Sequence, residues 1–348
     1  MTIQQGGQNR TIGERIKAIG PWIKDVVKSQ EFKKLAANVG LIILLYGSVK
    51  ILMLQGILDA FHMITVMTVC INIILAVSLN LVTGFTGQFS LGHAGFMAIG
   101  AYTCAIITTR MPTIEGFVIA IFASAIFATA VGILIGIPTL RLKGDYLAIA
   151  TLGLAEIIRI IIQNLEITNG AAGIMRIPRF VNWELMCFFM IFTILCITTF
   201  LKSSHGRACI SIREDEVAAE SMGINITKYK ATAFAIGAFF AGIAGAVYSS
   251  YFHFINPGLF GFLRSIDILV IVVLGGMGSV TGSLIASVIL AIANTALQAV
   301  ANLRMIIYSV MLVCIMIFRP QGIMGTKEIT LDKLFRKIGP RKADARIE

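Results

Sequence analysis

Hydrophobic positions along this chain fall in long uninterrupted runs rather than in alternation. The runs lie at roughly 36–57, 60–83, 89–109, 114–137, 146–164 and 182–201, and then at 230–252, 263–280, 282–300 and 303–318. Each is near the ~20 residues that an α-helix needs to cross the hydrocarbon core of a bilayer. Transmembrane barrels alternate apolar and polar positions over segments of about 10 residues, and that pattern is missing. The runs therefore predict an all-α, polytopic membrane protein of about ten spans, split six and four by a polar stretch. The expected organisation is a polar arm at 1–34, a first membrane half at 35–201, a charged insert at 202–229, a second half at 230–319 and a basic tail at 320–348.

Composition agrees, and charge adds an orientation. Hydrophobic residues make up 57% of the chain and charged ones 14%, well below the share in a soluble domain. The net charge of +11 gathers at the two ends and in short loops. Basic residues in short loops mark the cytoplasmic side of a membrane. With ten spans, four basic segments fall on one side: the arm, the loop with Arg141 and Lys143, the insert with Lys202, Arg207, Arg213, Lys228 and Lys230, and the tail. Both termini and the insert are thus expected in the cytoplasm, in a cell (inner) membrane. Arg110, Arg176 and Arg179 fall on the other side. Orientation accounts for the basic excess, so lipid rather than nucleic acid is the expected surroundings. The first apolar run begins near Leu35, after basic residues, and reads as an uncleaved anchor.

Familiar catalytic chemistry is missing. The dipeptide Gly-Lys never occurs, which excludes a GxxxxGK[ST] phosphate loop, and there is no HExxH or GxSxG. No catalytic residue, cofactor or metal site is expected, and the chain cannot hydrolyse ATP by a phosphate loop of its own. The cysteines (Cys70, Cys104, Cys187, Cys196, Cys209 and Cys314) form no CxxC pair and read as small buried hydrophobes. Within the spans, Glu156 and Arg159 stand three apart, as do Arg264 and Asp267. That spacing puts each pair on one helix face, where local pairing is favoured over an ion-coupling site.

Two segments depart from plain apolar helices. Thr83–Ala101 carries Gly84, Gly87, Gly92, Gly95 and Gly100 among Thr, Ser, Gln and His, and Leu274–Ser287 is similar. Close helix packing through small residues is one reading. A broken or re-entrant helix beside a water-filled path is the other. On the second reading Thr83, Thr86, Gln88, Ser90 and His93 are candidates to line a translocation path. His93 can equally satisfy a group inside the bundle.

The insert holds SIREDEVAAESMGINITKYK, residues 211–230. Ser211 and Glu214 have the spacing of a capping box, and Glu214, Asp215 and Glu216 suit the first turn of a helix. Gly223 suits the position just past a helix end. The expectation is one helix over Ile212–Met222, with Val217, Ala218, Ala219 and Met222 as an apolar patch. Asn225 or Thr227 can cap the next span. Such a short helix is marginal alone in water and reads as a docking element for another protein.

At this point the chain resembles a known family. REDEVAAESMGIN, followed by KATAFAIGAFFAGIAGAVYSSY, resembles the coupling loop and next span of permeases in ATP-driven importers. The EAA…G pattern appears as Glu216, Ala218, Ala219 and Gly223, with Val217 inserted. NLVTGFTGQFSLGHAGFMAIGAY, RLKGDYLAIATLGLAEIIR, TNGAAGI, VVLGGMGSVTG and FRPQGIMG extend the likeness to LivM-type branched-chain amino acid permeases. The resemblance implies a second, related permease subunit, two ATPase subunits and a substrate-binding protein. It implies leucine, isoleucine or valine as cargo, with other amino acids, urea or short amides carried by some relatives. It also implies ATPase contact by Glu214, Asp215, Glu216, Val217, Ala218, Ala219, Met222 and Gly223. The outer loop at 165–181, with Arg176 and Arg179, is the expected dock for the binding protein. The rival reading is a self-contained secondary carrier or channel; a membrane enzyme lacks any supporting motif.

Overall fold

The computed structural model describes residues 59–139, 142, 144–296 and 322–325, with the isolated positions 47, 50, 310 and 313. The expected arm, the first and last apolar runs, Arg141, Lys143 and the basic tail lie essentially outside the described residues. Apart from positions 47 and 50, those described belong to one unit, Asp59–Glu328.

Among the described residues of that unit, the apolar runs are helical over most of their length. In chain order the helices are α1 (Ala60–Asn80), α2 (His93–Arg110), α3 (Ile114–Thr139), α4 (Asp145–Asn164), α5 (Trp183–Lys202), α6 (Ser204–Glu214), α7 (Glu216–Ser221), α8 (Ile226–Phe252), α9 (Phe262–Gly275) and α10 (Val280–Ala296). Segments Phe61–Phe85, Ile114–Thr139, Trp183–Lys202, Ile226–Phe252 and Pro257–Gly275 are long and apolar enough to cross a membrane. Helix α4 is as long, but Asp145, Glu156 and Arg159 make it amphipathic.

The burial pattern is that of a bundle in lipid. Helix α3 turns Ile119, Phe122, Ile126 and Leu134 outward, and α5 exposes Phe188 and Leu195. Apolar patches of this extent are unfavourable in water and favourable against acyl chains. The interior is made of small residues. Helix α8 sits between α2 and α3, and a Cβ added at Gly245 would overlap the Met97 carbonyl of α2. Ser124 of α3 donates to the Gly100 carbonyl at 2.9 Å, tying a third helix to this contact. Without a hydrophobic drive between helices in lipid, such close backbone approach and its hydrogen bonds carry the association.

Helix α8 sets the two ends of the molecule apart. Its 27 residues span about 40 Å. It starts beside the insert and ends at His253, next to the loop after α4. That loop is folded: β1 (Ile174–Met175) pairs antiparallel with β2 (Phe254–Ile255), and His253 Nδ1 shares a hydrogen bond with the Ile177 carbonyl at 2.8 Å. The insert and the loop at 165–181 therefore lie at opposite ends.

Candidate functional site

The insert folds as two helices rather than one. Helix α6 runs through Glu214, the backbone extends at Asp215 (φ −157, ψ 114), and α7 then begins. The break lies inside the expected helix Ile212–Met222 and corrects it. Its cause is local competition for a cap. The Asp215 carboxylate accepts from the backbone N–H groups of Val217 at 2.8 Å and Ala218 at 3.0 Å, closing the first turn of α7. Ser211, expected as the cap, instead donates to the Ala208 carbonyl at 2.8 Å within α6. The C-terminal end of α7 is as expected. Gly223 has φ +82; its N–H donates to Glu220 at 2.9 Å, and that of Ile224 donates to Ala219 at 3.1 Å. Asn225 caps α8 by accepting from the Lys228 N–H at 3.0 Å.

The residues of α7 divide by face. Val217 is 72% and Met222 83% exposed, and Ala218 is exposed beside them, whereas Ala219 is buried. The acidic residues divide too. Asp215 is spent on the cap. Glu214 Oε1 accepts from Arg213 Nη2 at 2.5 Å, and Glu216 forms an ion pair with Lys230 at the start of α8. An open apolar face thus sits on a helix whose back is pinned to a long buried span.

Behind this insert the glycine-rich segments are broken helices, and they touch. Helix α1 passes into a π-helical turn at Leu81–Phe85, and the backbone is irregular until α2 starts at His93. A second break separates α9 from α10 at Gly276–Ser279. Asn80 joins them. Its Nδ2 donates to the Ser279 carbonyl at 2.8 Å and to Ser283 Oγ at 2.9 Å, and its Oδ1 accepts from the Gly278 N–H at 2.9 Å. Gly84 is required beside it, because a Cβ there would overlap both Asn80 Oδ1 and the Gly278 nitrogen. Close packing and helix breaking, separate readings from sequence, coexist here.

The expected path residues Thr83, Thr86, Gln88 and Ser90 lie in the first break and His93 opens α2 just after it; all are buried. Thr86 donates to the Leu81 carbonyl at 2.8 Å, and Ser90 Oγ accepts from the Gly92 N–H at 3.3 Å. His93 Nε2 shares a 2.8 Å hydrogen bond with Ser78 Oγ inside the bundle. Thr83 Oγ1 and both amide atoms of Gln88 are buried with no hydrogen-bond partner among the described residues. Buried polar atoms are nearly always satisfied by protein or by water, so these mark a place suited to water or a small polar solute.

At the opposite end Arg176 and Arg179 are exposed; Arg176 has φ +57, and the Arg179 guanidinium lies 4.9 Å from the Tyr251 ring centroid. Within α4, Arg159 Nε pairs with Glu156 at 2.7 Å, and Arg159 Nη1 donates to Gln163 at 3.1 Å, so the pair is local. Arg264 Nη2 donates to Asn72 at 2.8 Å. Sequence reasoning missed Asn80, Lys230 and the inward role of Arg213. An Asn and a Lys at the edges of apolar runs were the available signals.

Residues 62–316 match the family model described as branched-chain amino acid transport system / permease component. The high-affinity branched-chain amino acid transport system permease protein LivM of Salmonella typhimurium is 36% identical over 79% of this chain and 72% of its own length. The Escherichia coli K12 protein of the same name is 35% identical with the same coverage. The high-affinity branched-chain amino acid transport system permease protein LivH of Salmonella typhimurium is 24% identical over 74% of this chain and 92% of its own length. No solved structure matches the chain.

Proposed function

The chain belongs to the permease-component family of branched-chain amino acid transport systems, and on that premise we propose that it is one membrane-spanning subunit of an ATP-driven, binding-protein-dependent importer. It is a multi-pass membrane protein of a transport family. The observation that carries the finer reading is the open face of Val217, Ala218 and Met222 on α7. An apolar patch rimmed by Asp215 and Glu220 fits a groove on a soluble partner rather than lipid.

The partner of that face is an ATPase subunit, and it binds the ATP. Closure of two such subunits moves α7, and rigid-body motion of the spans behind it alternates access to a path near Thr83 and Gln88. The insert and both termini are on the cytoplasmic side. Arg176 and Arg179, at the far end, are offered to the acidic rim of a substrate-binding protein. A second, related permease completes the membrane part; LivM and LivH, both similar to this chain, are distinct proteins. The cargo is leucine, isoleucine, valine or a related small amino acid, with urea or a short amide as the alternative within the family.

The test is copurification. Detergent-solubilised chain is captured with its candidate ATPase subunit, wild type beside Val217→Asp/Met222→Asp. Binding by wild type that is lost in the variant, at equal thermal stability, supports the reading. A well-folded wild type that captures no ATPase favours a self-contained carrier. Uptake of labelled leucine against labelled urea by cells with the intact importer then assigns the cargo.

A further inference from the structure

Arg213 stands in the last turn of α6, one residue from the break, and its side chain points back into the bundle. Its Nη1 donates to the Gly84 carbonyl at 2.9 Å, inside the π-helical turn. Its Nε and Nη2 donate to Glu214 Oε1 at 3.2 and 2.5 Å. The stem lies on the first break: a Cβ at Gly87 would stand 3.1 Å from Arg213 Cγ and 3.5 Å from Arg213 Cβ. The guanidinium also lies on the second break, where a Cβ at Gly278 would stand 2.5 Å from Nη1. One side chain of the insert therefore occupies space left by glycines in both broken helices, one from each half of the chain.

The chemistry suits arginine. Gly84 is next to last in the π-helical turn, and the last carbonyls of a helix have no partner within it, so they are open to an outside donor. A guanidinium offers several donors in a fixed fork, so it can hold a carbonyl with one nitrogen and a carboxylate with the others. The carboxylate belongs to the neighbouring Glu214, which orients the fork from the insert side. On the membrane side the Asn80 amide ties the two breaks to each other.

We propose that Arg213 is a positioning residue that transmits displacement of α7 to both broken helices at once. This rests on the coupling reading given under Proposed function. Asp215 is the single extended residue between α6 and α7, so a push on α7 passes along the backbone to Glu214 and Arg213 as well as through the Glu216–Lys230 pair to α8. Through Arg213 it reaches the Gly84 carbonyl and the Gly278 backbone. Because Asn80 joins those segments, both halves of the bundle respond together.

The experiment uses the complete importer, purified through a tag on this chain and reconstituted in liposomes, with uptake and ATP hydrolysis measured on the same preparation. Arg213→Ala is expected to assemble and hydrolyse ATP while substrate moved per ATP falls about tenfold or more. Arg213→Lys, which keeps one charged donor on a similar stem, is expected to recover most of that ratio. A merely structural role would lower assembly or thermal stability and leave the ratio unchanged. If Arg213→Ala does not assemble, Arg213→Gln decides, since it keeps a stem and a neutral donor but loses the charged fork: it should assemble and hydrolyse ATP while moving less substrate per ATP. A wild-type ratio in Arg213→Ala or Arg213→Gln, a lysine variant as poor as alanine, or failure of both Arg213→Ala and Arg213→Gln to assemble would each overturn the proposal. A wild-type preparation that contains no ATPase sinks the importer reading instead.

Discussion

The carboxylate of Glu216, the first residue of α7, is ion-paired with the ammonium of Lys230 in α8, whose side chain is only 8% exposed. Lys230 lies in the first turns of a long buried helix, so this contact fastens the insert to the bundle. A buried lysine without its partner carries an uncompensated charge. Glu216 is therefore a hinge point of the fold as well as a part of the family pattern, and reversing its charge does not probe docking alone.

Glu216→Gln is expected to cost about 2–3 kcal/mol, below the figure for a fully buried pair because Glu216 is 31% exposed. The swap Glu216→Lys/Lys230→Glu should recover most of it. Thermal unfolding in detergent reads both. Equal melting of Glu216→Gln and wild type would show that the pair contributes nothing.

Asn80→Ala should be among the most damaging single changes in the bundle. It removes three hydrogen bonds of 2.8–2.9 Å at a buried site and strands the Gly278 N–H, while the Ser279 carbonyl keeps its bonds from the Ser283 N–H and hydroxyl. Stranded buried groups cost about 1–3 kcal/mol each. The expected result is loss of well over half the folded yield. If Asn80→Ala purifies with an unchanged melting temperature, water replaces the amide and the two breaks are not locked.

Asp215→Ala should loosen α7 without unfolding the chain. The lost cap is worth about 1 kcal/mol, and Asp215→Asn should retain most of it. Because α7 carries the open apolar face, its fraying should appear as weaker ATPase binding for alanine than for asparagine. Titration of the ATPase subunit onto liposome-reconstituted chain measures the difference. Equal affinities for the two variants would mean that α7 is ordered by its partner alone.

Cys209, in α6, is buried, and burial pushes its thiol up to about 11, with the Thr86 hydroxyl opposing the shift. Below pH 9 the thiol is protonated in both the folded and the unfolded chain, and stability owes nothing to its titration. Between pH 9 and 11 the unfolded chain ionises there and the folded chain does not. Stability should then fall as pH rises across that window. The fall should be shallower in Cys209→Ala, and native Cys209 should resist maleimide at pH 8. Rapid labelling of the folded protein would show that α6 opens.

The amino-acid sequence by itself determined the membrane bundle. Run length set the helices, because a bilayer demands about 20 apolar residues and offers no other way to satisfy the backbone. It also determined the end of α7 at Gly223 and narrowed the cap of α8 to Asn225 or Thr227, of which the structure uses Asn225, since a left-handed glycine and a side-chain cap act within a few residues. Family membership was legible from ordered motifs. The break at Asp215 was nearly legible: two caps competed within five residues, and the carboxylate with two accepted bonds won over a serine that turned back into its own helix. Only the tertiary structure decided which residues the insert would spend on its own fold. Lys230 is 14 residues from Glu216, Gly84 is 129 from Arg213, and Ser279 is 199 from Asn80. Hydrophobicity fixes that a helix is buried in the membrane, whatever its neighbours. Which polar side chain meets which backbone break depends on how the helices rotate and pack, and close approach at glycines sets that.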